Sequence, residues 1–213
     1  MSANLKISAA LVAVFVVGLA IFGVVRTQGD DDPAAATASV VREDSHRLST
    51  AEDGRVTLVE FLDFECEGCL AAYPFVEELR QVYDGQITFV ARYFPMPGHA
   101  NAENAAVAVE AAAQQGRFED MYDRMYETQP EWGEKQESQA AVFRGFAEEM
   151  GLDMAAYDAA VEAPETLARV LRDREDGIAL GVEGTPTFFL NGEKLTVETT
   201  DEFIAELDAA LAG

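Results

Sequence analysis

The chain has 213 residues, 49% apolar and 25% charged, which excludes a disordered polyelectrolyte and a wholly membrane-embedded protein and allows one generous domain with appendages. Acidic residues number 39 against 15 Lys and Arg, a formal charge of -24, so nucleic-acid phosphates are excluded as partners. Two cysteines exclude a disulfide-rich scaffold and a four-thiolate zinc site, and two histidines, His46 and His99, exclude a three-His metal site.

Ile7 to Val25 reads ISAALVAVFVVGLAIFGVV, with no charged residue. As a helix it spans about 28 Å, close to the hydrocarbon thickness of a bilayer. Residues 1–26 are therefore expected to be a membrane anchor, with 7–25 as the spanning segment. Lys6 and the amino terminus precede the run, which favours the amino terminus inside and the bulk of the chain outside the cytoplasm. A cleaved signal peptide is the alternative, because Ala36-Thr37-Ala38 has cleavage-site spacing, although it lies far from the apolar run. Residues 27–52 hold Gly29, three consecutive Asp, Pro33 and an Ala/Thr/Ser stretch, and read as a flexible linker. His46 falls in it and is expected to be solvated.

Residues 53–213 are long enough for one compact domain. Val56–Leu62 is an apolar, β-rich run expected to be a strand buried on both faces. The run after Cys69 has helical spacing, with Leu70, Tyr73, Val76, Leu79 and Val82 on one side. Asp84-Gly85 marks a turn, and Gln86–Tyr93 reads as a second strand. This is a βαβ unit with a parallel pair. Residues 101–181 are strongly helical, with helices near 101–115, 117–128, 138–150 and 153–180, the last broken around Ala163-Pro164. Phe118, Met121, Tyr122, Met125 and Tyr126 form a stripe expected in the core; with Met96 and Trp132, some of it is alternatively an apolar groove. Thr187–Leu190 and Glu193–Val197 flank Asn191-Gly192, a hairpin turn pair. Thr200 or Asp201 is expected to cap a last helix, Glu202–Leu211.

Cys66-Glu67-Gly68-Cys69 sits between the first strand and its helix. A cysteine at a helix N-terminus faces unpaired N–H groups, which stabilise its thiolate. A second cysteine three residues on is within disulfide reach, so the two form a reversible two-electron couple. A static disulfide would close too short a loop to stabilise much. Zinc would need two more ligands than the cysteines supply. Glu60 shares a strand face with Val56, Leu58 and Leu62. Its carboxyl is expected to be desolvated, with a raised pKa, and able to exchange protons with Cys69; a solvated or ion-paired Glu at a strand end is the alternative. His99, in a Pro/Gly-rich loop, reads as a surface histidine, with a place near the substrate groove as the second reading.

Phe61–Cys69 resembles the active-site segment of DsbA-type thiol:disulfide oxidoreductases of the thioredoxin superfamily. Tyr93–Ala102 is similar to their second strand and its exit, and Gly184-Thr185-Pro186-Thr187-Phe188-Phe189 to their cis-proline loop and following strand. The resemblance covers about 53–213 and implies an α/β thioredoxin fold (βαβ…ββα) with a helical insertion at about 101–181, preceded here by a transmembrane helix. It also implies Cys66 as exposed nucleophile, Cys69 as buried resolving thiol, and a cis bond at Pro186 that turns the Thr185 backbone toward Cys66 to bind substrate. It places a buried acid at Glu60 and a helix kink at Pro74. No cofactor and no metal is expected. The implied activity is thiol:disulfide exchange on reduced or unfolded exported proteins, as an oxidase recharged by a membrane reoxidising protein. Reductase or isomerase action is the other direction, and a non-catalytic binding or metal-carrying module is the alternative. The chain departs from the family in its Glu-Gly dipeptide, where strong oxidants usually carry Pro-His or a similar pair. Glu65 and Glu67 at roughly 7 Å would each oppose the thiolate by about 1 kcal/mol at an effective dielectric near ~40, so a milder oxidant is expected.

Overall fold

The computed structural model describes residues 38–213. A five-stranded sheet in the order β1-β3-β2-β4-β5 forms the centre. It comprises β1 (His46–Ser49), β2 (Thr57–Leu62), β3 (Thr88–Tyr93), β4 (Thr187–Leu190) and β5 (Glu193–Lys194). Helix α1 (Glu67–Val82) crosses from β2 to its parallel neighbour β3, and β4 pairs antiparallel with the other side of β2. Between β3 and β4 come α2 (Ala102–Ala113), α3 (Phe118–Trp132), α4 (Ala140–Glu149), α5 (Met154–Glu162) and α6 (Pro164–Ala179). Helix α7 (Thr200–Ala212) follows β5.

The expected βαβ, helical block and ββα therefore appear in that order. Pro164 separates α5 from α6 by opening α6 in its first turn, where its missing N–H costs nothing. Asn191 and Gly192 both take positive φ (50° and 89°) between β4 and β5, the backbone that a two-residue hairpin requires. Helix α7 begins earlier than expected, and the cap is Thr199, whose Oγ1 accepts the Glu202 N–H.

The expected linker needs correcting at its C-terminal end. Residues 46–49 are the edge strand β1, antiparallel to β3. His46 is not solvated: its ring stacks on Phe118 at 4.0 Å and its Nε2 lies 2.7 Å from Glu110 Oε2, which also accepts from the Tyr93 hydroxyl. The sequence HRLS is too short and too polar to announce a strand; pairing with β3 supplies the reason for it. The expected spanning segment, 7–25, lies outside the described residues. Among the described residues, no helix is long and apolar enough to cross a membrane.

Strand β2 is covered on both faces. Leu58 and Leu62 join the large core under α1, with the aromatic stripe of α3: Met121, Tyr122, Met125, Tyr126 and Trp132 are all buried there. Val59 and Phe61 join a smaller core with Val90, Phe94, Val182 and Phe189. Arg92 is buried beside that smaller core. It bonds Asp173 and Asp176 of α6, lies over the Phe61 ring at 5.3 Å, and donates to the carbonyls of Ser39 and Val40. Arg42 forks onto Asp176 from the other side. Arg92, Asp173 and Asp176 thus each have an opposite partner, as burial demands, and residues 39–42 are strapped to the sheet.

Helix α6 approaches the sheet through Gly177. A Cβ there would lie 2.7 Å from Phe94 Cδ2 and 3.1 Å from Phe61 Cδ1, closer than packed atoms tolerate. Gly177→Ala should therefore cost about 1–3 kcal/mol of stability by overpacking, although alanine is the better helix former. An unchanged denaturant midpoint would refute this close approach.

Candidate active site

Strand β2 ends at Leu62, and the chain turns through Asp63-Phe64-Glu65 into α1. Cys66 is the N-cap residue of that helix, with extended backbone (φ -73°, ψ 123°). Its own N–H donates to the Asp63 carbonyl at 3.1 Å, and its carbonyl accepts the first-turn N–H of Leu70. This backbone presents the sulfur over the helix start, where the N–H groups have no intrahelical partner. Both cysteines are free thiols; Cys66 is partly exposed and Cys69 is buried.

The two sulfurs are chemically unequal. The Cys66 pKa falls to about 5. The largest cause is a hydrogen bond from the Cys69 thiol; burial opposes it, and the Thr185 side chain and the N–H groups of Cys69 and Gly68 add to it. Cys69 is pushed far above the usual thiol range by burial, by the hydrogen bond it gives to Cys66, and by the Glu60 charge. The pair therefore holds one proton on the inner sulfur and one negative charge on the outer one. This is the direction expected of a cysteine at a helix N-terminus, and one of the two acids expected to oppose it points elsewhere. Glu65 is buried, and its carboxylate is turned away to accept the N–H groups of Asn101 (2.6 Å) and Glu134 (3.1 Å).

The Thr185–Pro186 peptide bond is cis, and it lies at the sulfur. Cys66 Sγ is 3.3 Å from the Thr185 carbonyl oxygen, which can accept from it only while the thiol keeps its proton. The Thr185 hydroxyl is buried and otherwise lacks a partner, which leaves it free to donate to a thiolate. Gly68 makes the approach possible. A Cβ on it would stand 3.3 Å from Pro186 Cδ and 3.4 Å from both Cys66 Sγ and the Thr185 oxygen. An apolar groove of about 460 Å³ runs on from Pro186 between α1 and α7, lined by Ala72, Phe75, Phe188, Leu195 and Phe203.

Glu60 lies where the strand face puts it. It is buried, and its pKa rises from 4.5 to about 8, chiefly through burial and then through the charges of Glu77 and Cys66. It acts electrostatically on Cys69. Pro74 lies inside α1, as expected.

Three contributors are not legible from the motif. Gln129 of α3 donates its Nε2 to the carbonyls of Phe64 (2.7 Å) and Cys66 (3.0 Å), pinning the active-site turn to the helical block. Glu65 ties the same turn to the start of α2. Asp63 is buried and bonds His99, whose Nδ1 lies 2.6 Å from its Oδ2. The available signal was the alternation Asp63, Glu65, Glu67: two of these point inward to unpaired N–H groups.

A protein-family model described as thioredoxin matches residues 46–209. The chain belongs to the thioredoxin family. Curated relatives of this thioredoxin-family chain include the Na(+)/H(+) antiporter NhaA of Herminiimonas arsenicoxydans, 36% identical over 144 residues, covering 68% of this chain and 22% of that protein. NhaA 1 of Mycolicibacterium vanbaalenii is 33% identical over 196 residues, covering 89% of this chain and 30% of that protein. The chain thus spans less than a third of these relatives, and ion antiport does not carry over with it. Among solved structures, a thioredoxin-like oxidoreductase from Silicibacter pomeroyi DSS-3 matches with TM-score 0.66 and 24% identity, covering 87% of this chain and 99% of that one. The α-DsbA1 of Wolbachia pipientis matches with TM-score 0.70 and 16% identity, covering 84% and 96%. BdbD from Bacillus subtilis matches with 0.67 and 18%, covering 78% and 92%. These likenesses establish a shared fold, inserted helices included.

Glu60 makes the folded state pH-sensitive. Its folded pKa is raised, so between pH 4.5 and about 8 the native protein holds a proton that the unfolded chain has released. This contribution lowers stability as pH rises through that window. Glu60→Gln should flatten the fall, with a higher urea midpoint than the parent at pH 8.5 and little difference at pH 5. Parallel midpoint-versus-pH curves for the two proteins would refute the buried, neutral Glu60.

Proposed function

We propose that this chain is a thiol:disulfide oxidoreductase that acts on exported proteins through Cys66 and Cys69, working as a disulfide donor. The observation that carries the reading is the unequal dithiol: a low-pKa, partly exposed Cys66 and a buried Cys69 three residues on, beside the Thr185–Pro186 loop. A substrate thiolate attacks Cys66 Sγ of the oxidised pair, and the electrons of the S–S bond pass to Cys69, which leaves and takes a proton. Glu60, neutral near pH 7 and felt electrostatically by Cys69, could supply that proton. A second substrate thiolate then attacks the substrate sulfur of the mixed disulfide, and Cys66 leaves as thiolate. The low Cys66 pKa favours this last step and stabilises the reduced enzyme, which makes the disulfide the oxidising partner. The Thr185 backbone and the groove beyond Pro186 would hold an extended, apolar segment of the substrate.

Residues 7–25 would anchor the domain outside the cytoplasm, where substrates with free thiols emerge and a membrane protein could reoxidise the pair. Reductase or isomerase action is the same exchange begun from the dithiol.

The full chain, incubated with a reduced, unfolded dithiol protein, should form disulfides stoichiometrically with its oxidised Cys66–Cys69 pair. Cys66→Ala should abolish the reaction, and Cys69→Ala should accumulate mixed disulfides that release on reduction. Exchange that survives Cys66→Ala would overturn the assignment, and its absence from the parent in both redox directions would favour a binding module.

A further inference from the structure

His99 lies in the loop after β3, outside the cysteine motif and outside the mechanism above. Its Nδ1 is held by Asp63 Oδ2 at 2.6 Å. Asp63 is in turn fixed on every side: its Oδ1 accepts the Glu65 N–H at 2.8 Å, its Oδ2 also accepts the Met96 N–H at 2.9 Å, and its carbonyl accepts the Cys66 N–H at 3.1 Å. One buried residue therefore joins the imidazole to the backbone that carries the nucleophile.

The charged and titratable groups that act on His99 are Asp63, Cys66, Glu65 and, from the loop after α3, Glu134. Burial works against the imidazolium, but the Asp63 bond and the negative charges of Asp63, Cys66 and Glu65 outweigh it and hold the pKa above the ordinary histidine value. The side chain is 31% exposed, so its charge is only partly screened by water. Within the motif, Glu67-Gly68 offers no cation at all.

We propose that His99, clamped by Asp63, is a positioning residue that supplies, from outside the motif, a positive charge to the active-site turn that carries Cys66. This rests on the thiol-exchange reading of the pair. When the second substrate thiolate forms the substrate disulfide, the electrons of the broken S–S bond go to Cys66 Sγ, and the imidazolium favours that sulfur as leaving group. No proton moves in this step.

The test is the ultraviolet absorbance of the thiolate in the reduced full chain as a function of pH, with Cys66→Ser as blank. His99→Gln, which keeps a hydrogen-bonding side chain but no charge, should leave about tenfold less thiolate at a given pH on the acid side of the transition. His99→Lys should restore most of it. An unchanged titration in His99→Gln overturns the proposal, and so does an equal loss in both variants, because shape rather than charge would then be responsible. The titration involves no substrate. A normal His99 dependence in a chain without Cys66-dependent exchange would therefore refute the function proposed above and leave this inference standing; an unaltered titration in a chain that exchanges disulfides would do the reverse.

Discussion

The site depends on one constraint: Cys66 is partly exposed at the start of α1 while Cys69, three residues on, is buried. That difference drives the two sulfurs in opposite directions. Two free thiols in water would titrate alike. Here burial keeps the proton on Cys69, and the helix start keeps the negative charge on Cys66. The asymmetry is therefore a property of where α1 begins. A start one residue later would move Cys66 off the N-cap and away from the unpaired N–H groups.

The start of α1 is held from two directions. Gln129 in α3 bonds the Phe64 and Cys66 carbonyls, and Glu65 bonds the N–H groups of Asn101 and Glu134 at the start of α2 and after α3. Asn101 then reaches on, through its side chain, to the Lys135 and Glu137 carbonyls and the Gln139 N–H. Glu134 adopts a positive φ of 58° in this junction. The helical block thus does more than bury the face of α1. It fixes the active-site turn through buried polar contacts whose partners have no water to fall back on, which makes their loss costly.

Much of this could be read from the residues. Val56–Leu62, the motif, the Asn191-Gly192 turn and the Pro164 break carry local signals: continuous apolar β-formers, cysteine spacing, a positive-φ pair, a missing N–H. Glu60 was legible because alternation along a strand is strict, so its neighbours Leu58 and Leu62 announce its burial. What stayed hidden depended on tertiary partners. The strand at His46 exists through β3, and the roles of His99, Glu65 and Gln129 exist through chain segments far away in sequence. Glu65 shows the failure most clearly. Sequence proximity put its charge near the sulfur, but its carboxylate goes instead to N–H groups more than thirty residues away.

That redirection answers a problem set by composition. A chain with formal charge -24 has to hold a thiolate near pH 7, and each nearby carboxylate would raise the energy of that thiolate. Each is dealt with differently. Glu65 is spent on backbone N–H groups. Asp63 is spent on two more and on His99. Glu60 stays protonated to about pH 8 because water is excluded from it. Glu67, between the cysteines, is exposed, so water and salt screen its charge. An acidic surface and a stabilised thiolate are thus compatible because the acids nearest Cys66 are bonded, buried or screened one residue at a time, and the fold brings N–H groups for Glu65 from the start of α2 and the loop after α3.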